Sequence, residues 1–237
     1  YPLVITSAVF PLFYEAQDYT TRVVNGKVVK YVDFFGTEFV NTELYSYIIA
    51  LSYIIISILS PLLSGVADYS GSKKSYMRFF CYLGAFSCIS YFWFSTAHIE
   101  LSMLSVLLGS IGFSGSLVFY NAYLPEVAAP EDQDKLSAKG FSLGYAGASI
   151  LLIACLIGIQ MFDMPAEYAF ILTGVWWIGF SQITYTVLPN SQSKNTITWH
   201  ILGDGFRELR KVGNFIKTTY RLKRFLISFF LFSMGVQ

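Results

Sequence analysis

Gly112-Phe113-Ser114-Gly115 spells G-x-S-G, a tetrapeptide that can present a nucleophilic serine. A serine hydroxyl attacks only when a neighbouring base takes its proton, and that base is usually a histidine. The chain has two, His98 and His200, both in polar connecting segments and out of reach of a serine in the middle of an apolar stretch. An intramembrane serine protease acting through Ser114 therefore lacks its base. Cys81, Cys88 and Cys155 also sit in apolar stretches, which suits buried thiols better than disulfides or metal ligands. There is no H-E-x-x-H, no P-loop and no His/Cys/Asp/Glu cluster. The chemistry to expect is non-enzymatic, with no cofactor and no metal.

Polar groups suited to reversible binding lie along the first apolar segment. At 100° per residue Leu3, Thr6, Ser7, Phe10, Tyr14 and Gln17 share one helical stripe. Hydroxyls and rings on one face suit a small neutral or zwitterionic solute, so Thr6, Ser7, Phe10, Tyr14 and Gln17 are the candidate solute-binding residues. The competing reading is helix packing through small hydroxyl residues. Glu15 points away from the stripe and reads as a solvated end residue. Ser102, Ser105, Gly109, Gly112 and Ser116 are spaced by 3 and 4, and Gly140, Gly144 and Gly147 follow a similar pattern. Both sets predict seams of close helix contact.

The elements that must carry these residues follow from composition. Of 237 residues 54% are apolar, 18% aromatic and only 13% charged, and mean hydropathy is +0.53. A soluble domain of this length cannot cover that much hydrocarbon. A net charge of +1 gives no footprint for nucleic acid. The class is a polytopic all-α membrane protein, with the bilayer as a partner. A spanning helix needs about 20 apolar residues. Suitable stretches are 1–16, 44–64, 79–97, 101–120, 140–161 and 168–188, and another begins at 225–237. Spans two to six carry no Asp, Glu, Lys, Arg or His, so a charged substrate or an ion-coupling carboxylate is not expected there. An apolar start without a basic n-region predicts no cleavable signal, and the unfinished last stretch predicts a fragment of a longer protein.

Basic residues orient the spans. Lys73, Lys74, Arg78, Lys135, Lys139 and the seven Lys and Arg of 207–224 lie on one side together with Lys194, against Arg22, Lys27 and Lys30 on the other. The thirteen mark the cytoplasmic side. On the outer side, Asn25-Gly26 between valine pairs predicts a hairpin. On the inner side, 189–224 is a linker in which Phe206, Leu209, Val212, Ile216 and Tyr220 oppose Arg207, Arg210, Lys211, Lys217 and Arg221. That pattern predicts an amphipathic helix in the headgroup layer, coupling two halves or anchoring passively.

Gly65-Val66-Ala67-Asp68-Tyr69-Ser70-Gly71-Ser72-Lys73-Lys74 resembles the G-x-x-x-D-x-x-G-[RK]-[RK] signature of the major facilitator superfamily, with Ser72 where a basic residue is usual. Asn121-Ala122-Tyr123-Leu124-Pro125-Glu126-Val127-Ala128-Ala129-Pro130-Glu131, leading into Gly140-Phe141-Ser142-Leu143-Gly144-Tyr145, is similar to the vacuole-effluxer-like branch of autophagy-related amino-acid effluxers. The resemblance implies the N-terminal six-helix half (1–188) of a 12-helix carrier, a linker (189–224), the start of helix seven (225–237) and a missing C-terminal half. It implies alternating-access transport of a small solute, with amino-acid efflux as the finer expectation. The location it implies is a plasma or bacterial inner membrane, with a vacuolar membrane as the alternative. A non-transporting scaffold or receptor would share the same hydropathy.

Under that resemblance Gly65, Asp68, Gly71, Lys73 and Lys74 form a gating loop in which glycines allow a tight fold and the carboxylate caps a helix or meets a cation. Glu126, at the inner end of span four, and Arg78, at the inner end of span three, form a candidate latch. A solvated interfacial Glu126 is the plainer alternative.

Overall fold

The computed structural model describes residues 2–24, 26–189 and 214–236. The first helix, α1 (Pro2–Glu15), leads into three antiparallel strands, β1 (Thr20–Val24), β2 (Lys27–Phe34) and β3 (Thr37–Val40). Six helices follow: α2 (Asn41–Ser70), α3 (Lys73–Ser90), α4 (Ile99–Ala122), the single turn α5 (Leu124–Val127), α6 (Gln133–Met161) and α7 (Glu167–Val187). After the linker comes α8 (Tyr220–Val236). Of the expected amphipathic helix at 206–220, residues 206–213 lie outside the described residues, and 214–218 are helical.

The hairpin forms as its turn chemistry requires. Val24 faces Lys27, the register of a two-residue turn, and Gly26 has φ 77°. The second turn was not expected. Phe35 and Gly36 take φ 52° and 78°, the signs of a type I′ turn, and Phe34 faces Thr37. Asp33 Oδ1 accepts from the Gly36 amide at 2.7 Å. A phenylalanine in left-handed backbone is strained, and here the hairpin geometry imposes it.

Among the described residues three helical stretches are long and apolar enough to cross a membrane: Asn41–Pro61, Thr96–Val127 and Gln133–Met161. The sequence count of six also needs α1, α3 and α7. Lys73, Lys74 and Arg78 occupy the first two turns of α3, and beyond Ser90 it tightens into a 3-10 turn at Tyr91–Trp93. In α7 glycine, threonine, glutamine and tyrosine dilute the hydrocarbon of a 21-residue helix. In the most apolar windows of α2 and α6 only 17% of residues are buried. Their hydrocarbon faces outward, as it does when lipid or another bundle is the solvent.

The interior has an outer and an inner part. Phe10, Tyr14, Tyr91, Phe94, Met103 and Phe170 anchor the outer cluster, which reaches Val32 of the sheet. Met77, Phe80, Cys81, Phe119, Tyr123 and Tyr185 anchor the inner one. Helix α3 is central, packed on α4 and α7, while α2 leans on α4.

Candidate functional site

The inner ends of α2, α3, α5 and α7 converge on the turn between α2 and α3. Helix α2 stops at Gly71, whose φ of 65° lets its amide return to the Ala67 carbonyl; the Ser72 amide reaches the same oxygen at 3.1 Å. That C-terminal cap is glycine's usual role. It starts α3 at once, so Lys73 and Lys74 stand in the first turn of a new helix, beside the ends of two others.

Lys73 Nζ meets Glu126 Oε1 of α5 at 2.6 Å. Glu126 therefore pairs with Lys73 and not with the Arg78 suggested by their shared side of the membrane. Pro125 helps set the short α5 turn that presents Glu126. The lysine side chain is 16% exposed and the glutamate 36%, so water screens the pair and its worth is on the order of 1 kcal/mol or less. Lys74 Nζ donates to the Leu188 carbonyl at 2.8 Å, a cation on the orphan carbonyl end of α7. The Arg78 guanidinium lies 5.0 Å from the ring centroid of Tyr185. Three cations in the first two turns of α3 thus tie it to α5, to Tyr185 of α7 and to Leu188 just beyond it. Sequence reading placed Lys73, Lys74, Arg78 and Glu126 together; it did not find Leu188 and Tyr185, because a backbone carbonyl and a lone aromatic leave no motif. Gly65 and Asp68 lie in the last two turns of α2, and the Asp68 side chain is outside the described part.

The α1 stripe divides. Phe10 is 1% and Tyr14 2% exposed. Phe10 packs within 6 Å, centroid to centroid, of Tyr45, Tyr91, Phe94 and Phe170. The Tyr14 hydroxyl donates to the Asn41 carbonyl at 2.9 Å. Gln17 Nε2 donates to the Phe13 carbonyl at 3.2 Å. Thr6 and Ser7 lie in the first half of α1, their side chains outside the described part.

Glu15 has two partners. Lys30 Nζ of β2 approaches its Oε2 at 3.1 Å and also donates to its main-chain oxygen, and Asn41 Nδ2 donates to Oε1 at 3.2 Å. The outer sheet is therefore clamped onto the end of α1. At the sheet surface Arg22 and Glu38 form a two-point ion pair at 2.6 and 2.8 Å that raises the Arg22 pKa. Burial, with Tyr14 and Glu15 close by, pushes the Tyr19 hydroxyl up as well.

A partly open cavity of about 520 Å³ lies between α3, α4, α6 and α7 in the inner half of the bundle. Tyr185 forms part of its wall, so the same ring faces the cavity and carries Arg78. Phe10, Tyr14 and Gln17 do not line it.

The family model described as "Vacuole effluxer Atg22 like" matches residues 14–237. The MFS-type transporter YxiO of Bacillus subtilis, itself described as uncharacterized, is 30% identical over all of this chain and 54% of its own length. Autophagy-related protein 22 of Coccidioides immitis is 22% identical over 72% of this chain and 38% of its own. Autophagy-related protein 22-1 of Aspergillus clavatus is 22% identical over 85% and 46%. The chain thus spans about half the length of the curated relatives it matches. No solved structure matches it.

Proposed function

The chain belongs to the vacuole effluxer Atg22-like family, and from that premise we propose that it is the N-terminal half of a secondary transporter that moves a small neutral or zwitterionic solute by alternating access. It is an integral membrane protein; its Bacillus subtilis relative is named an MFS-type transporter and its family is named for a vacuole effluxer. Amino-acid efflux is the finer proposal, taken from the family. The fold proposed is a bundle of six spans over 1–188, a cytoplasmic linker at 189–224 and a seventh span beginning at 225, completed to twelve by a second half. A plasma or bacterial inner membrane is the proposed location, with the vacuolar membrane as the alternative.

The observation that carries the mechanism is the fastening of the α3 start to α5 and α7 through Lys73, Lys74 and Arg78. These contacts lie within one bundle. In this reading they join the ends of three helices so that they move together, as rocking of two bundles about a central site requires. Gly65, Gly71 and Asp68 then form the movable edge of that joined end. In this reading Asp68 meets the absent half when the inner side is closed, and Glu126 holds Lys73 in place beside it. Phe10 and Tyr14 fix α1 in the bundle, while Thr6, Ser7 and Gln17 remain as its contacts to solute.

The test is uptake and efflux of labelled amino acids in vesicles reconstituted with the complete protein. Asp68→Asn should cut flux about tenfold, the effect of roughly 1.4 kcal/mol on the inward–outward equilibrium, at unchanged expression. Unchanged flux in the variant removes Asp68 from the gate. No flux of any solute in the parent protein favours a scaffold or receptor.

A further inference from the structure

Just before the apolar run of α8 the chain carries Lys217, Arg221, Lys223 and Arg224, and residues 214–236 contain no Asp or Glu. Residues 214–218 are helical, and the backbone ladder continues across Thr219 into α8. The Thr219 amide donates to the Phe215 carbonyl at 2.9 Å, and the Lys223 amide to the Thr219 carbonyl at 3.0 Å. The cations therefore stand on the same helical run as the apolar residues that follow Arg224. At 100° per residue Lys217, Arg221 and Arg224 share a stripe about 60° wide, and Lys223 lies off it.

All four are exposed, and none meets a carboxylate among the described residues. Basic residues elsewhere behave differently: Lys30, Lys73, Lys74 and Arg78 each reach an acid, a carbonyl or a ring. Like charges three and four residues apart on a helix repel. An arrangement of this kind without acids is unfavourable until anions gather on it.

Position selects the anion. From Phe225 to Val236 the helix carries no charge, so in the proposed topology hydrocarbon begins just beyond Arg224. At about 1.5 Å per residue the cations span about 10 Å of the axis. The headgroup layer on each side of a bilayer is about 5–8 Å deep, a matching depth. Tyr220, 74% exposed, stands among them, as tyrosines do at the membrane–water boundary. A phosphate diester at that level offers oxygens that a guanidinium grips at two points.

We propose that Lys217, Arg221, Lys223 and Arg224 form a binding surface for the headgroups of anionic phospholipids. It rests on α8 entering the membrane as proposed above, and it assigns this segment a ligand besides the transported solute.

The test offers the complete protein, in a neutral detergent, phosphatidylglycerol or phosphatidylcholine with the same acyl chains. Retained lipid is counted by native mass spectrometry. Phosphatidylglycerol should bind at least about tenfold more tightly, and about 0.5 M salt should remove most of that preference. Neutralising the surface with Lys217→Gln, Arg221→Gln, Lys223→Gln and Arg224→Gln together should cut the preference at least about fivefold. These side chains have no carboxylate to lose, so the melting temperature should hold. Lys135→Gln with Lys139→Gln, at the start of α6, should leave the preference within about twofold of the parent's. No preference in the parent, a salt-independent one, or one retained in the fourfold variant overturns the surface. An equal loss in the α6 variant overturns it in favour of diffuse charge. A preference that emerges only with Glu131→Gln, Asp132→Asn and Asp134→Asn assigns the cations to that exposed acidic turn instead. Headgroup preference is read without transport, so its absence beside intact flux strikes this surface and leaves the carrier standing.

Discussion

Gly112 lies where α3 and α4 come closest: a Cβ there would stand 2.3 Å from the Gly84 nitrogen and 2.8 Å from the Phe80 carbonyl oxygen. Both obstacles are backbone, so no side chain can swing aside. Gly112→Ala should cost about 1–3 kcal/mol through forced separation of the helices, lowering the melting temperature of the detergent-solubilised protein by several degrees. A melting temperature within a degree of the parent's would show that α3 can shift at no cost. Residue types announced part of this. The 3-and-4 spacing on α4 singled out Gly112, but Gly115, packed on the Phe80 ring, lies off that stripe. Gly147 had the spacing of a seam and has none of the contact, because spacing says where a backbone can approach and not whether another does. Glu126 and its neighbourhood were legible from charge and position; the choice of Lys73 depends on the single turn of α5, which periodicity cannot resolve.

At the scale of elements, the outer sheet shows how a short polar insertion is fixed to a helical bundle. Its attachment passes through Glu15, which was expected to face water and instead receives Lys30 and Asn41. Both ionic side chains are a third or more exposed, so the clamp is discounted for solvent and is worth about 1 kcal/mol. Glu15→Ala should release the connection between α1 and β1, raising the rate of protease cleavage within 16–24 about fivefold as the local opening equilibrium shifts. An unchanged rate would mean that Val32, buried in the outer cluster, holds the sheet alone. Asn25-Gly26 made the first hairpin readable. The second turn was not, since Phe35-Gly36 offers a bulky residue where turn rules ask for Asn or Gly. Apolar stretches located the helices, yet α2 and α6 begin or end many residues beyond them. Polar turns such as Gln133–Lys139 are helical because they continue a helix already nucleated in the hydrocarbon.

For the whole molecule the governing fact is an apolar exterior without a partner. Phe225, Phe229, Phe230 and Phe232 of α8 are all exposed, and so are Ile54, Ile58, Leu143, Ile150 and Ile153 on α2 and α6. Lipid can solvate some of this surface, but the alternating access proposed above needs two bodies that move against each other. The relatives' length, about twice this chain's, supplies room for the second body. Helix α8, which follows the linker, belongs with it in the proposed topology. A cut in the linker after Lys194 should therefore give two pieces that are each inactive in vesicles. Co-expressed, they should recover flux, because the contacts that assemble the carrier lie between helices and not along the linker backbone. Recovery of less than about a tenth of parental flux would assign the linker a coupling role beyond tethering. Flux from the piece ending at Lys194 on its own would refute the two-body arrangement, since one bundle would then suffice to open and close a path.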